Sequence, residues 1–157
     1  MSPDETFLVE LMRAVATAQL ESLVVGSTAA VLQGAPLMTQ DVDLLVRDTP
    51  RNRQKILEVA SALAATKPRP MGELTTVVRI NRAGIDVDFV FDELTPELSF
   101  ESLRTRAVEV SLGELQVMAV SLADLIVAKE FAGRPKDLAQ LPIIRATAAV
   151  REKLLKK

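Results

Sequence analysis

Residues 23–46 read LVVGSTAAVLQGAPLMTQDVDLLV. Leu23-Val24-Val25 is a short apolar run that stops at Gly26-Ser27. The TAAVLQG that follows reads as a helix ended by Gly34, and Ala35-Pro36 breaks the chain. Asp41 to Val46 then reads as a strand. Strand side chains alternate faces, so Asp41 and Asp43 point one way and Val42 and Leu44 the other. Two carboxylates one pleat apart repel unless a cation lies between them, which suits the pair to a hard divalent metal. The plainer reading is a solvated or turn-capping pair at a strand mouth. Gly26-Ser27, at the start of a helix, offers backbone N–H groups and a positive dipole end to a phosphate. The plainer reading there is a strand–helix turn with Ser27 or Thr28 as the N-cap.

Working outward, Phe7, Leu8, Leu11, Met12, Val15 and Ala16 have helical spacing within residues 4–19. Thr49-Pro50 looks like an N-cap followed by Pro at the first helical position. The helix it opens is expected to run over 51–67, ending before Pro68 and Pro70. Residues 74–80 read as a strand, 81–84 as a turn and Ile85–Phe91 as a second strand, together a hairpin. In that second strand Ile85, Val87, Phe89 and Phe91 share one face, and Asp86 and Asp88 the other. If it lies beside the Asp41 strand, a third carboxylate reaches the same place. Three carboxylates holding two metals about 3.5–4 Å apart are a device for in-line phosphoryl displacement. A short helix over Ser99–Arg106 and a small hairpin about Gly113-Glu114 follow. Ser121 with Asp124 reads as a capping box opening a helix over 122–132. A last helix runs from about Lys136, interrupted at Pro142. The order is αβαβαββαββαα, an α/β (α+β) arrangement with a mixed sheet. One domain over 1–157 is expected, with a core at about 20–120 and a helical part at about 121–157.

Composition removes whole classes of function. The 157 residues include no His, Cys, Trp or Tyr. There is accordingly no disulfide framework, thiol nucleophile, imidazole metal site or Ser-His-Asp triad. Any metal chemistry must use carboxylate oxygens, which suit Mg²⁺, Mn²⁺ or Ca²⁺. Five aromatics, all Phe, and a net charge of −2 argue against a base-stacking or phosphate-tracking surface. Arg47, Arg51, Arg53 and Lys55 form a basic cluster that reads chiefly as a solvated helix face, with contact to nucleic acid as the alternative. The start, MSPDETFLVE, lacks the basic region of a signal peptide, and no stretch has the apolar length of a membrane span. A cytoplasmic protein is the expectation.

The ordered set of Val25-Gly26-Ser27, Thr39-Gln40-Asp41-Val42-Asp43-Leu44-Leu45 and Val87-Asp88-Phe89-Val90 resembles the nucleotidyltransferase fold of the DNA polymerase β superfamily. It is most similar to small prokaryotic members such as the AbiEii-type toxins, which also carry a segment like Leu122 to Leu138, with Lys129, Arg134, Lys136 and Asp137. The resemblance implies a mixed sheet flanked by helices and a metal-dependent transfer of NMP from an NTP to an acceptor hydroxyl. The acceptor would be RNA, protein or a small molecule. It implies that Asp41, Asp43 and Asp88 hold Mg²⁺ or Mn²⁺, and that Gly26 and Ser27 bind the β- and γ-phosphates. Asp88 is preferred to Asp86 as the third acid because Phe89-Val90 follows it. Lys129 would neutralise triphosphate charge, or else is a helix lysine paired with Asp124 or Glu130. Met38 departs from the family, where a basic residue often stands. A partner protein in a toxin–antitoxin pair is a family-level expectation. The alternative is an inactive nucleotide- or metal-binding module, or an interaction module, of the same fold.

Overall fold

The computed structural model describes residues 3–73 and 76–156, with side chains from Thr6 on. Strands β1 (Leu23–Val25) and β2 (Val42–Val46) run antiparallel, with Val25 opposite Asp43. Between them lies helix α2 (Gly26–Leu32), preceded in the chain by α1 (Pro3–Thr17). Helix α3 (Pro50–Ala62) carries the chain over to the edge strand β3 (Arg69–Pro70) and the hairpin of β4 (Val77–Arg82) and β5 (Ile85–Phe91). A two-strand ribbon, β6 (Glu93–Thr95) and β7 (Leu98–Ser99), leads into α4 (Phe100–Arg106). The hairpin β8 (Val108–Leu112) and β9 (Leu115–Ala119) precedes α5 (Leu122–Ala132) and α6 (Pro135–Leu155). The main sheet has the order β3-β4-β5-β2-β1-β9-β8. β2 pairs with β5, and β1 with β9, in parallel, so the expected mixed sheet is present.

Side-chain alternation explains why β2 and β5 lie together in this register. Val42, Leu44 and Val46 pair with Val87, Phe89 and Phe91, and all six are buried. Sliding β5 by one residue would put its acids in the core and its apolar side chains in water. The helices cover this framework. α1 packs on α3 and β9, α2 on β1, β2 and α5, and α5 on α6.

The structure corrects the sequence reading at several places. α3 ends at Ala62, not at residue 67. Ala64 turns left-handed (φ 53°), and the Ala65 N–H closes the helix on the Ala60 carbonyl at 2.9 Å. The chain then leaves to pair with β4: the Thr66 N–H bonds to the Asn81 carbonyl, and the Asn81 N–H to the Thr66 hydroxyl, both at 2.9 Å. A strand edge outbids helix propensity here. The turn expected over 81–84 shrinks to Ala83-Gly84, because Asn81 and Arg82 stay in the ladder. β4 starts at Val77; Leu74 and Thr75 of the expected strand lie outside the described residues. α6 continues through Pro142, held by the burial of Leu141 and Ile144 on either side. The Asp124 carboxylate does not reach back to Ser121; it accepts from Arg106 Nε at 2.8 Å, while the Ser121 hydroxyl accepts from the Asp124 N–H. The ribbon of β6 and β7 and the edge strand β3 have too few residues for a periodic signal.

Three members of the basic cluster take partners within the fold, while Arg51 stays exposed. Arg47 bridges Glu21 and Glu101, and Arg53 pairs with Asp48. Their guanidinium groups lie 4.3 Å from the ring centres of Phe100 and Phe91. Lys55 donates to the Gln19 carbonyl at 2.7 Å. These cations staple helices to the sheet.

Ala83 and Gly84 both have positive φ (51° and 87°), the two-residue turn that favours Asn-Gly. Ala83→Asn is expected to stabilise the protein by roughly 0.5–1 kcal/mol, a rise of roughly 1–4 °C in melting temperature. Thermal melts followed by circular dichroism check it; a lower melting temperature would contradict the turn assignment.

Candidate active site

The site is built where β1 hands over to α2. Gly26 has φ +65°, and a Cβ added there would lie 2.6 Å from Asp43 Oδ2. A side chain at 26 is thus disfavoured twice, by backbone strain and by the need to displace the carboxylate beside it. α2 has only seven residues, so its dipole end is short; the clearer role of Gly26 is to make room for Asp43.

Asp41 sits one residue ahead of β2 and is fixed by hydrogen bonds. Its carbonyl accepts from the hydroxyls of Thr28 (3.1 Å) and Thr39 (3.0 Å). Its Oδ1 accepts from the Asp86 N–H at 3.2 Å. Asp43 stands directly beside Asp88 in the β2–β5 ladder. Sequence periodicity placed Asp86 and Asp88 on one face, and the register singles out Asp88 as the neighbour of Asp43. Asp86 instead accepts from Asn81 Nδ2 at 2.7 Å.

A residue that the sequence did not flag joins these acids. Arg79 of β4 lies opposite Asp88 and grips it with two hydrogen bonds, Nε to Oδ1 at 2.7 Å and Nη2 to Oδ2 at 3.0 Å. Its remaining terminal nitrogen is 3.4 Å from Asp86 Oδ2. Nothing local marks this arginine in Val77-Val78-Arg79-Ile80; only the hairpin register brings it to the acids.

Asp43 is the exception in the cluster. Among the described residues its carboxylate makes no hydrogen bond or ion pair. Its pKa is raised from 3.8 to about 6, first by burial and then by the Asp88 charge, against the pull of Lys136 and Lys129. Among the described residues, no three acidic side chains converge as a ready-made metal cage. An unpartnered, half-buried carboxylate beside a second one is nonetheless a donor set that suits a hard cation.

Behind the Gly-Ser turn lies a buried polar cluster. The Ser27 hydroxyl donates to Gln140 Oε1 at 2.7 Å. Lys129 Nζ is 3.4 Å from Ser27 Oγ and 3.4 Å from Asp137 Oδ1. Asp137 is 1% exposed, and the Arg134 guanidinium, followed by Lys129, holds its carboxyl below the usual range. Burial pulls the Lys129 ammonium down, and Asp137 opposes that pull. Lys129 is therefore no solvated helix lysine. The partners expected for it are taken, Asp124 by Arg106 and Glu130 by Arg145. The structure brings Ser27, Lys129, Gln140 and Asp137 together. Ser27 faces this cluster, whereas Thr28 lines the neighbouring cleft. That cleft, about 570 Å³, lies between α1, α2, the 37–42 segment and the start of β5. Its wall is mostly apolar, including Phe7, Leu37 and Ile85, and Asp41 and Lys136 are its charged members.

A mixed sheet, a glycine cleared for an acid, and carboxylates on adjoining strands define the class of nucleotidyltransferase folds, and comparison with known proteins agrees. The sequence over residues 5–157 matches the family described as nucleotidyl transferase of unknown function (DUF2204), and the chain belongs to that family. No protein of curated function matches it in sequence. Among solved structures it is similar to the antibiotic-resistance factor ANT(2'')-Ia, at 13% identity and a TM-score of 0.67, over 97% of this chain and 92% of that one. The lincosamide antibiotic adenylyltransferase LnuA, solved with lincomycin bound, is 9% identical with a TM-score of 0.65, over 94% and 98% of the two chains. A Thermotoga maritima protein assigned as a nucleotidyltransferase is 17% identical with a TM-score of 0.62, over 97% and 92%. Among the described residues no helix is long and apolar enough to cross a membrane.

The Asp43 carboxyl binds its proton more tightly folded than unfolded. Stability therefore falls as pH rises from about 4 to about 6 and stays lower above that. Asp43→Asn removes this penalty. At pH 7.5, without added metal, it is expected to be more stable than wild type by roughly 1–3 kcal/mol, with the gain vanishing at about pH 4. Equal stabilities at both pH values would show that burial does not strain this carboxylate.

Proposed function

We propose that the chain transfers a nucleoside monophosphate from an NTP to the hydroxyl of an acceptor. The acceptor hydroxyl releases its proton to water, its oxygen bonds to the α-phosphorus, the bond from that phosphorus to the bridging oxygen breaks, and pyrophosphate leaves. Asp41, Asp43 and Asp88 would hold Mg²⁺ or Mn²⁺, which when bound offsets phosphate charge and lowers the pKa of the attacking hydroxyl. The observation that carries this reading is the Asp43 carboxylate, unpartnered, pressed against Gly26 and in register with Asp88.

The chain's own residues divide the remaining tasks. Gly26 lets backbone approach the phosphates without a side chain between. Ser27 and Lys129 stand together behind it and would supply a donor and positive potential, with Ser27 exchanging its bond to Gln140. Lys136, on the cleft wall, acts on the Asp43 charge and adds a cation from α6.

Of the possible acceptors, a small molecule is favoured over RNA. The cleft beside Asp41 is of ligand size, about 570 Å³, and two arginines of the basic cluster, Arg47 and Arg53, are engaged with acids and Phe rings. Solved structures of similar fold include a complex of ANT(2'')-Ia with adenylyl-2''-tobramycin, and LnuA with lincomycin. The Arg79 grip on Asp88 favours the second reading, an inactive binding module with the same fold.

Calorimetric titration of each NTP with Mg²⁺ tests the site. Wild type is expected to bind at least one NTP, and Asp43→Asn, checked for folding, to bind it at least about tenfold more weakly. NTP binding without turnover on any hydroxyl acceptor would favour the binding module, and no NTP binding at all would sink the transferase reading. The toxin–antitoxin role makes the acceptor a cellular RNA or protein and adds a partner chain. As the toxin of such a pair, wild type expressed alone, and not Asp43→Asn, is expected to arrest growth; growth unaffected by wild type would remove the toxin half of that role.

A further inference from the structure

Arg79 is the side chain that answers the acid face of β5, and it answers it completely at one position. The two oxygens of Asp88 are each taken by a different nitrogen of the same planar group, at 2.7 and 3.0 Å. Such a fork is both stronger and more directional than a single charged hydrogen bond. The guanidinium cannot leave by losing its proton, and its hydrogen bond to Asp88 holds it still more firmly charged. Asp43, on the other side of Asp88, receives nothing comparable.

The same geometry offers the arginine an alternative. Asp86 lies one pleat along β5 on the same face, with its Oδ2 already 3.4 Å from Arg79 Nη1. Asn81 holds the other oxygen of Asp86 at 2.7 Å, which leaves Oδ2 facing the arginine. The Arg79 side chain is 26% exposed, so it has an open side on which to move. A guanidinium gripping both oxygens of a carboxylate and a divalent cation coordinated there exclude each other, by contact and by charge.

We propose that Arg79 is a placeholder for a cation. It occupies Asp88 in the metal-free protein and competes with the divalent cation for that carboxylate, so that loading the site transfers the fork toward Asp86. This rests on the reading of Asp43 and Asp88 as metal ligands. Arg79 is on this account a positioning residue that sets metal affinity through Asp88. Its consequence is a site that takes up free metal weakly.

The test is Mn²⁺ alone, without nucleotide, titrated into wild type, Arg79→Gln, Arg79→Lys and Asp43→Asn. Free Mn²⁺ is read by electron paramagnetic resonance, and folding is checked by circular dichroism. Arg79→Gln is expected to bind Mn²⁺ about tenfold more tightly than wild type. Arg79→Lys should also bind more tightly, by less, because lysine keeps the charge but cannot make the two-point fork. Asp43→Asn should lose the binding. If Arg79→Lys binds as wild type does, simple charge repulsion accounts for the site and the placeholder is overturned. Weaker binding in either folded variant would make Arg79 an orienter of Asp88 and also overturn it. Binding that needs Asp43 but ignores Arg79 overturns this proposal alone. No Mn²⁺ binding by wild type or Arg79→Gln overturns the metal reading with it.

Discussion

The parallel pairing of β2 with β5 places Asp43 against Asp88, two like charges on adjoining strands. The pairing is held from the opposite face, where Val42, Leu44 and Val46 meet Val87, Phe89 and Phe91 in the core. Burial of those six apolar side chains is worth many times the repulsion of two partly solvated carboxylates. The core thus forces the acids together, and the surroundings adapt to them. Gly26 gives up its side chain to make room, Arg79 neutralises Asp88 from β4, and Asp43 keeps a raised pKa.

A second constraint comes from the helices. Lys129 of α5 and Asp137 of α6 form a buried ion pair, 7% and 2% exposed at their side chains. Buried pairs rarely stabilise a fold more than apolar side chains of the same volume would. Their presence beside Ser27 is better explained by the position they hold: a cation and its counter-ion directly behind the Gly-Ser turn. The Arg134 bond to Asp137 then fixes the start of α6, and with it Lys136 on the wall of the cleft. Structure-keeping and site-building use the same residues here, and substitutions at Asp137 will disturb both.

Much of this was legible in the sequence. Strand alternation alone put Asp86 and Asp88 on one face and their apolar neighbours on the other. The Thr49-Pro50 and Ser99 helix starts, and the end of the 122–132 helix, follow from local hydrogen bonding and backbone freedom, and they stand where expected. The misses share a cause. α3 looked longer than it is because nothing in 63–67 shows that a strand edge waits at Asn81. Lys129 stayed divided between a site cation and a surface lysine because α5 has polar residues on more than one side, and only packing against α6 decides which side is buried.

The sequence by itself determined the kinds and order of all the elements except β3, β6 and β7, the face on which each acid lies, and the family to which the chain belongs. Each of these depends on residues within a few positions of one another, or on an ordered pattern along the chain. The tertiary structure decided which acids meet, that Arg79 reaches them, and that Lys129 turns inward to Asp137. Those outcomes depend on strand register and helix packing between segments far apart in the chain, where contact is set by the burial of apolar faces elsewhere.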